Sequence, residues 1–354
     1  MINYKNIEEL WLQFKSKKPY FIAEAGVNHL CDMELAEELI KGAKRGGADA
    51  IKFQSYKAST LTTENAPRFW DWEGEDKKDG SQHDSYSKLD LFGKDEHIQL
   101  KNLCIKYDIE FFSTPFDYSA IDYLEDIGVR MHKVASCDIT NFPLLIKLAK
   151  TQKIILLSTG ASSLEEITNA VNLISEYNNK IVVMHCNLKY PTADNEANLG
   201  MIKNLKECFG DKYVIGLSDH TKNLLTPAFS YLLGASVFER HFTVDKTLGK
   251  SPDHSLVCVT PDELLEMKKY TDKAIEMYGE EEKRSTNSEE RARLYARRSV
   301  VANVDIKKGE IFTEQNIGCK RPGTGISPEK YFDIIGKTST RDIGFDELLI
   351  DSDF

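Results

Sequence analysis

The chain has 354 residues, 41% hydrophobic and 29% charged, which suffices for one large domain plus a small one and excludes disorder along most of its length. Its formal charge of -10 argues against holding nucleic acid or anionic lipid by bulk electrostatics, so any anionic ligand must meet a local basic site. The 7 cysteines are never spaced as CxxC, the start lacks an apolar leader, and no stretch approaches the ~20 apolar residues of a membrane span, so a cytoplasmic protein with reduced thiols is expected, neither secreted nor inserted in a membrane.

Short runs rich in β-branched and apolar residues recur along the chain: Tyr20 to Ala25, Ala50 to Gln54, Ile109 to Ser113, Met131 to Val134, Ile154 to Ser158, Ile181 to His185, Val214 to Ser218 and Val237 to His241. Most are separated by segments such as MELAEELIKGAKRGGA and LEEITNAVNLISEY, whose apolar residues fall at i, i+3 and i+4 on one helical face. Alternating strand and helix imply a parallel sheet. Eight such units fit a closed (β/α)8 barrel, a TIM barrel, better than an open doubly wound sheet of five or six strands.

One connection, Ser55 to Lys94, is too long for a simple crossover and is polar, aromatic and aperiodic; it is either a lid or binding loop or a surface insertion. After Tyr278 a charged stretch of helix formers reads as a connector, and from about Ser299 the pattern turns to short strands and turns. The expected organisation is a catalytic barrel over 1–280, a linker over 281–298 and a small β-rich domain over 299–354.

Active sites of parallel barrels sit at the C-terminal ends of the strands. Those ends carry Glu24, with Asn28 and His29 beyond; Lys52 and Gln54; Ser113 and Thr114; Lys133, Ser136 and Asp138; Ser158 and Thr159; His185, Asn187 and Tyr190; Ser218, Asp219 and His220; and Glu239, Arg240 and His241. His220 and His241, on neighbouring strands, suit either a divalent Lewis-acid metal or hydrogen-bonded rim positions. His185, inside an apolar strand, reads as a packed core histidine. The run LSTGAS pairs hydroxyls with a glycine and a helix N-terminus, an anion-site pattern that any capped helix after a strand can mimic. Lys52 and Lys133 lie in strands that look buried and need partners, either protein carboxylates or substrate.

The ordered motifs IAEAGVNH, ADAIKFQ, FFSTPFD, HKVAS, LLSTGAS, HCNLKYPT, IGLSDHT, FERHFT, SPDHS and CKRPGTGI together resemble the sialic acid (nonulosonate) synthase family, from Phe21 to about Phe354, with a C-terminal antifreeze-like (SAF) domain. The resemblance implies condensation of phosphoenolpyruvate with the open-chain aldehyde of an N-acyl hexosamine. The products would be a nine-carbon 2-keto-3-deoxy acid of sialic, legionaminic or pseudaminic type and phosphate. A related lyase or hydrolase, or a synthase acting on a 6-phosphorylated sugar, stands as the alternative. It further implies a divalent metal such as Mn2+, Mg2+ or Co2+ on His220 and His241. Phosphoenolpyruvate would be held by Lys52, Thr114, Lys133, Ser136, Ser158 and Ser218. Glu24, Gln54, Tyr190 and Asp253 would face the sugar and the reacting centre, and Arg321 would reach into the partner's barrel of a domain-swapped homodimer to contact the N-acyl group.

Two departures from the family pattern stand out. Asp138, in Ser136-Cys137-Asp138, replaces the usual glutamate with a carboxylate one methylene shorter, and Asn187-Leu188-Lys189 stands where small polar residues are more usual.

Overall fold

The computed structural model describes residues 6–70, 80–248 and 257–354. Eight strands, Tyr20–Gly26 (β1), Ala50–Ser55 (β2), Glu110–Pro115 (β3), Met131–Val134 (β4), Ile154–Ser158 (β5), Ile181–Cys186 (β6), Val214–Asp219 (β7) and Val237–His241 (β8), pair in chain order. The parallel pairing of β8 with β1, from Tyr20↔Val237 to Glu24↔His241, closes the barrel. Helices follow the strands, and several begin where a short polar side chain takes the first free amides: Asp117, Asn141, Ser163 and Thr260 each accept one and Asp32 accepts two. The expected (β/α)8 barrel is therefore what forms, with strand limits shifted from the expected ones by a residue or so.

The strand period of two separates two cores. Ile51, Phe53, Phe111, Leu157 and Val183 point outward and pack under the helices. Ile22, Ala50, Phe112, Leu156, Met184 and Val237 point into the barrel, where they meet Leu10, Trp11 and Phe14 of the helix Ile7–Lys15. Phe14 sits edge-on to Tyr20 at 4.7 Å, so this helix plugs the N-terminal end. The interior is thus dry at that end, and the next inward position on nearly every strand is polar.

The chain divides into two compact units, Met1–Gly279 and Glu280–Phe354. The segment expected as a linker contains the helix Glu290–Ala296 and belongs to the second unit, where Gly323 N–H donates to Leu294 O at 2.7 Å. That unit holds an antiparallel pair, Ser299–Ala302 (β9) with Ile317–Lys320 (β10), over a small core of Val300, Ile306, Phe312, Ile317 and Leu349. Among the described residues no helix is long and apolar enough to cross a membrane.

Candidate active site

Continuing the inward parity from the apolar layer brings Glu24, Lys52, Thr114, Lys133, Ser158, Ser218 and Glu239 to the C-terminal mouth of the barrel. They line one cavity of about 290 Å³ together with Gln54, Ser136, Asp138, Tyr190, His220 and His241. The barrel residues given a substrate, metal or catalytic role from the sequence are therefore brought together except Asp253, which lies outside the described residues, whereas the strand-end residues Asn28, His29, Ser113, Thr159, His185, Asp219 and Arg240 do not line the cavity. Arg321 is exposed in the second unit, just after β10.

The centre of the site is a buried four-charge cluster. Glu24, Lys52, Lys133 and Glu239 are 1%, 2%, 4% and 5% exposed. Lys52 Nζ lies 2.6 Å from Glu24 Oε2 and 3.8 Å from Glu239 Oε1, and donates to Thr114 Oγ1 at 2.8 Å. Lys133 Nζ lies 3.3 Å from Glu239 Oε1, which also accepts from Ser218 Oγ at 3.1 Å. The two lysines left open by sequence thus have protein partners, and Glu239 is the hub.

Sequence reasoning placed Glu239 at a strand end but assigned it no role. The signal was present: it precedes His241 by two residues, so both side chains face the same interior.

A backbone device aims Glu24. The β1–β2 register shifts between Glu24 and Gly26, and Gly26 takes φ +53°, a conformation glycine adopts without penalty. A Cβ there would stand 3.3 Å from Gln54 Nε2 and 3.4 Å from Glu24 Oε1, the two atoms that hydrogen-bond at 3.1 Å.

Burial pushes the Glu24 carboxyl upward; the attraction of Lys52 offsets this only in part, and Glu239 adds to the rise. Burial acts the same way on Glu239, but Lys133 and Lys52 outweigh it and hold that carboxyl at about 2. Because this value is below the ordinary 4.5, the Glu239 carboxylate contributes stability above pH 4.5 that is lost as pH falls toward 2. The isosteric Glu239→Gln variant should accordingly show a flatter Tm–pH curve between those values than the parent; equal slopes would contradict the pairing.

Hydroxyls complete the wall. Ser158 Oγ lines the cavity and makes no hydrogen bond to another protein group among the described residues, which leaves its hydroxyl for a ligand. Ser136 Oγ accepts from Gly160 N–H at 2.9 Å, an approach only glycine permits, since a Cβ would fall 2.8 Å from that oxygen and 3.0 Å from Leu188 N. The helix N-terminus read as part of an anion site serves otherwise: Ser163 and Glu166 close it with their own capping box, and Thr159 Oγ1 donates to Met184 O. From LSTGAS it is Ser158 that reaches the cavity.

His220 and His241 lie with ring centroids 5.2 Å apart, and the Tyr190 ring stands 4.1 Å from the first and 5.6 Å from the second. His220 Nδ1 is 2.6 Å from Asn187 O, which requires a ring proton on Nδ1, so in the neutral ring Nε2 carries the lone pair. That is how a metal-ligating imidazole is held. Among the described residues no group of three or more His, Cys, Asp or Glu side chains forms a metal cage. The two imidazoles are a donor set that fits an open divalent site whose other positions water or substrate would fill.

His185 Nε2 donates to Ala197 O at 2.8 Å inside the core, and His29 stacks on Phe92 at 4.3 Å with its pKa depressed by burial to about 3. Neither belongs to the site. Asp138 faces the cavity and accepts from Asn141 Nδ2 at 3.1 Å; burial raises its carboxyl and Asn141 lowers it in part. Of the other departure from the family pattern, Lys189 turns away to Glu196 at 2.8 Å, Leu188 lines the cavity, and Asn187 supplies the carbonyl under His220.

The long connection after β2 closes one side. Leu61, Thr62, Phe69, Gln82 and Tyr86 from it line the cavity.

The NeuB family model matches residues 39–283 and the SAF domain model residues 297–354. An N,N'-diacetyllegionaminic acid synthase of Campylobacter jejuni is 40% identical over 336 residues, 94% of this chain and 99% of that protein. A pseudaminic acid synthase of Helicobacter pylori is 34% identical over 334 residues, 91% of this chain and 94% of that protein. The crystal structure of an N-acetylneuraminic acid synthetase from Leptospira borgpetersenii, 35% identical, superposes with a TM-score of 0.67 over 78% of this chain and 90% of that one.

Proposed function

The chain belongs to the NeuB family, an enzyme family whose relatives here are nonulosonic acid synthases, and on that premise we propose that it condenses phosphoenolpyruvate with the open-chain aldehyde of an N-acyl hexosamine. The acceptor we favour is a 2,4-diacetamido-trideoxyhexose, which would give a legionaminic-type acid; the 40% identity to a legionaminic acid synthase over nearly the full length of both chains supports it. The observation that carries the reaction type is the buried Lys52–Glu24–Glu239–Lys133 cluster, ringed by hydroxyls and adjoining the His220–His241 pair in one cavity.

In the reaction, C3 of phosphoenolpyruvate bonds to the aldehyde carbon, whose oxygen takes a proton; water adds at C2; and the C2–O bond to phosphate breaks, leaving a 2-keto acid and inorganic phosphate. Lys52 and Lys133 would share their ammonium charge between Glu239 and the entering carboxylate and phosphate, with Thr114, Ser136 and Ser158 donating hydroxyl hydrogens to the same oxygens and Ser218, whose hydrogen goes to Glu239, lining the cavity beside them. Glu24, its carboxyl raised by burial and oriented by Gln54 and Lys52, is suited to take the proton from the water that adds at C2. Tyr190 packs on both imidazoles and keeps them in place.

His220 and His241 would hold a divalent ion such as Mn2+, which when bound supplies a Lewis acid to polarise the aldehyde oxygen. The protein's own charge supports that assignment: two ammonium groups and two carboxylates sum to zero, so the cluster alone offers a multiply charged anion no net attraction. Arg321 reaching a partner's barrel in a domain-swapped homodimer belongs to the same proposal, as the resemblance implies.

The test is incubation with phosphoenolpyruvate, Mn2+ and a panel of 2-acetamido and 2,4-diacetamido hexoses, followed by product mass and phosphate assay. Phosphate release only when all three are present, abolished by EDTA and restored by Mn2+, is expected. Turnover that survives EDTA would reject the metal-dependent condensation.

A further inference from the structure

The cavity has two walls of different chemistry, and the second has no role in the reaction described above. Against the charged strand ends stands the insertion after β2, offering Leu61, Phe69 and Tyr86 as apolar surface and Gln82 as an amide. Phe69 is 58% exposed, a large aromatic side chain at the lip of a concave site. A solvated ring there gains free energy only when something covers it.

The wall is braced. Phe69 is edge-on to Trp70 at 5.0 Å, Trp70 packs on Tyr86 at 5.7 Å, Tyr86 on Tyr56 at 5.4 Å, and buried Tyr56 against Phe116, just past β3, at 6.0 Å. Its two arms are joined by a bridge between Pro67 and Ser81 and by Gln82 Nε2 donating to Pro67 O at 2.8 Å. That last bond has a chemical consequence. One Nε2 hydrogen is used there, and the Gln82 amide keeps Oε1 as an acceptor and a second N–H as a donor beside the aromatic and aliphatic side chains that line the same cavity.

An amide next to apolar surface matches the acetamido group, which carries an N–H donor, a carbonyl acceptor and a methyl. A hydroxyl supplies the donor without the methyl. The aldehyde end of the acceptor must reach the His220–His241 side for carbon–carbon bond formation, so the part facing the insertion is the end remote from it. We propose that Phe69 and Gln82 read a second acetamido group on that remote end, making the insertion the element that selects a diacetamido acceptor over a monoacetamido one. This inference rests on the condensation proposed above.

The experiment compares kcat/KM for a 2,4-diacetamido-trideoxyhexose and for N-acetylmannosamine at saturating phosphoenolpyruvate and Mn2+. The unmodified protein should prefer the diacetamido sugar. Because one methyl in an apolar pocket is worth roughly 10–200-fold in discrimination, Phe69→Ala should cut the preference by at least about tenfold and Phe69→Leu by less. Gln82→Met, which removes the amide and with it the bond to Pro67, should cut it as well, whereas Gln82→Glu, which loses that bond but keeps an acceptor, should retain more of it. Phe69 is mostly exposed, so its replacement leaves the barrel folded, which thermal unfolding checks. A preference unchanged in both Phe69→Ala and Gln82→Met, an equal fall for both sugars, or an unmodified protein that prefers N-acetylmannosamine would overturn the selection role. No phosphate release from either sugar would overturn the condensation itself, and the inference with it.

Discussion

Replacing His220 or His241 by alanine is expected to abolish stoichiometric binding of a divalent ion and to lower phosphoenolpyruvate-dependent phosphate release on the order of 10³-fold. The two rings stand 5.2 Å apart at the ends of adjacent strands, and Asn187 O fixes a proton of His220 on Nδ1, so each ring would contribute one nitrogen to a site that has no group of three protein ligands among the described residues. A Lewis acid contributes several kcal/mol of transition-state stabilisation, and each 1.36 kcal/mol is tenfold in rate, which sets the size of the loss. Metal content of the purified variants measures the first effect independently of activity. Full metal occupancy in both alanine variants would move the site elsewhere in the chain.

Lys52→Met should have the largest effect on stability. It removes the cation lying 2.6 Å from Glu24 and 3.8 Å from Glu239, leaving two buried carboxylates to share Lys133. Breaking a buried ion pair from one side costs about 3–5 kcal/mol, because the orphaned charge stays out of water. The double variant Lys52→Met/Glu24→Gln removes both charges and should recover most of that loss in denaturant unfolding, while condensation stays lost because Lys52 and Glu24 both face the substrate cavity. If the double variant is no more stable than Lys52→Met alone, the two side chains are not energetically paired. If it regains turnover, neither acts in the reaction.

Much of this site was legible before any fold was known, for a geometric reason. In a strand the side chains alternate, so Ile22 and Glu24, Ala50 and Lys52, Phe112 and Thr114, Leu156 and Ser158, or Val237 and Glu239 share an inward face, apolar at the plugged end and polar at the mouth. Helical spacing between such strands implies parallel pairing, and parallel barrels have their chemistry at one end. Eight strand ends could therefore be enumerated as candidates from the chain alone.

What the chain did not disclose is which polar residue meets which. Lys52 and Lys133 could have been substrate ligands alone; only barrel closure, with β8 beside β1 and Glu24 opposite His241, puts Glu239 between them. The capping box at Ser163 likewise took a helix N-terminus out of the anion site, a competition between side chain and ligand that a motif cannot settle. The 55–94 connection carried no periodicity to place it, and its aromatic residues join the cavity through contacts with residues such as Tyr56 and Phe116. By itself the sequence determined the barrel, the end at which chemistry occurs and the residue types available there, because these follow from periods along one chain. The charge pairing, the Gly26 bulge that aims Glu24 and the apolar wall opposite depend on distances between segments remote in sequence, and the tertiary structure alone decided them.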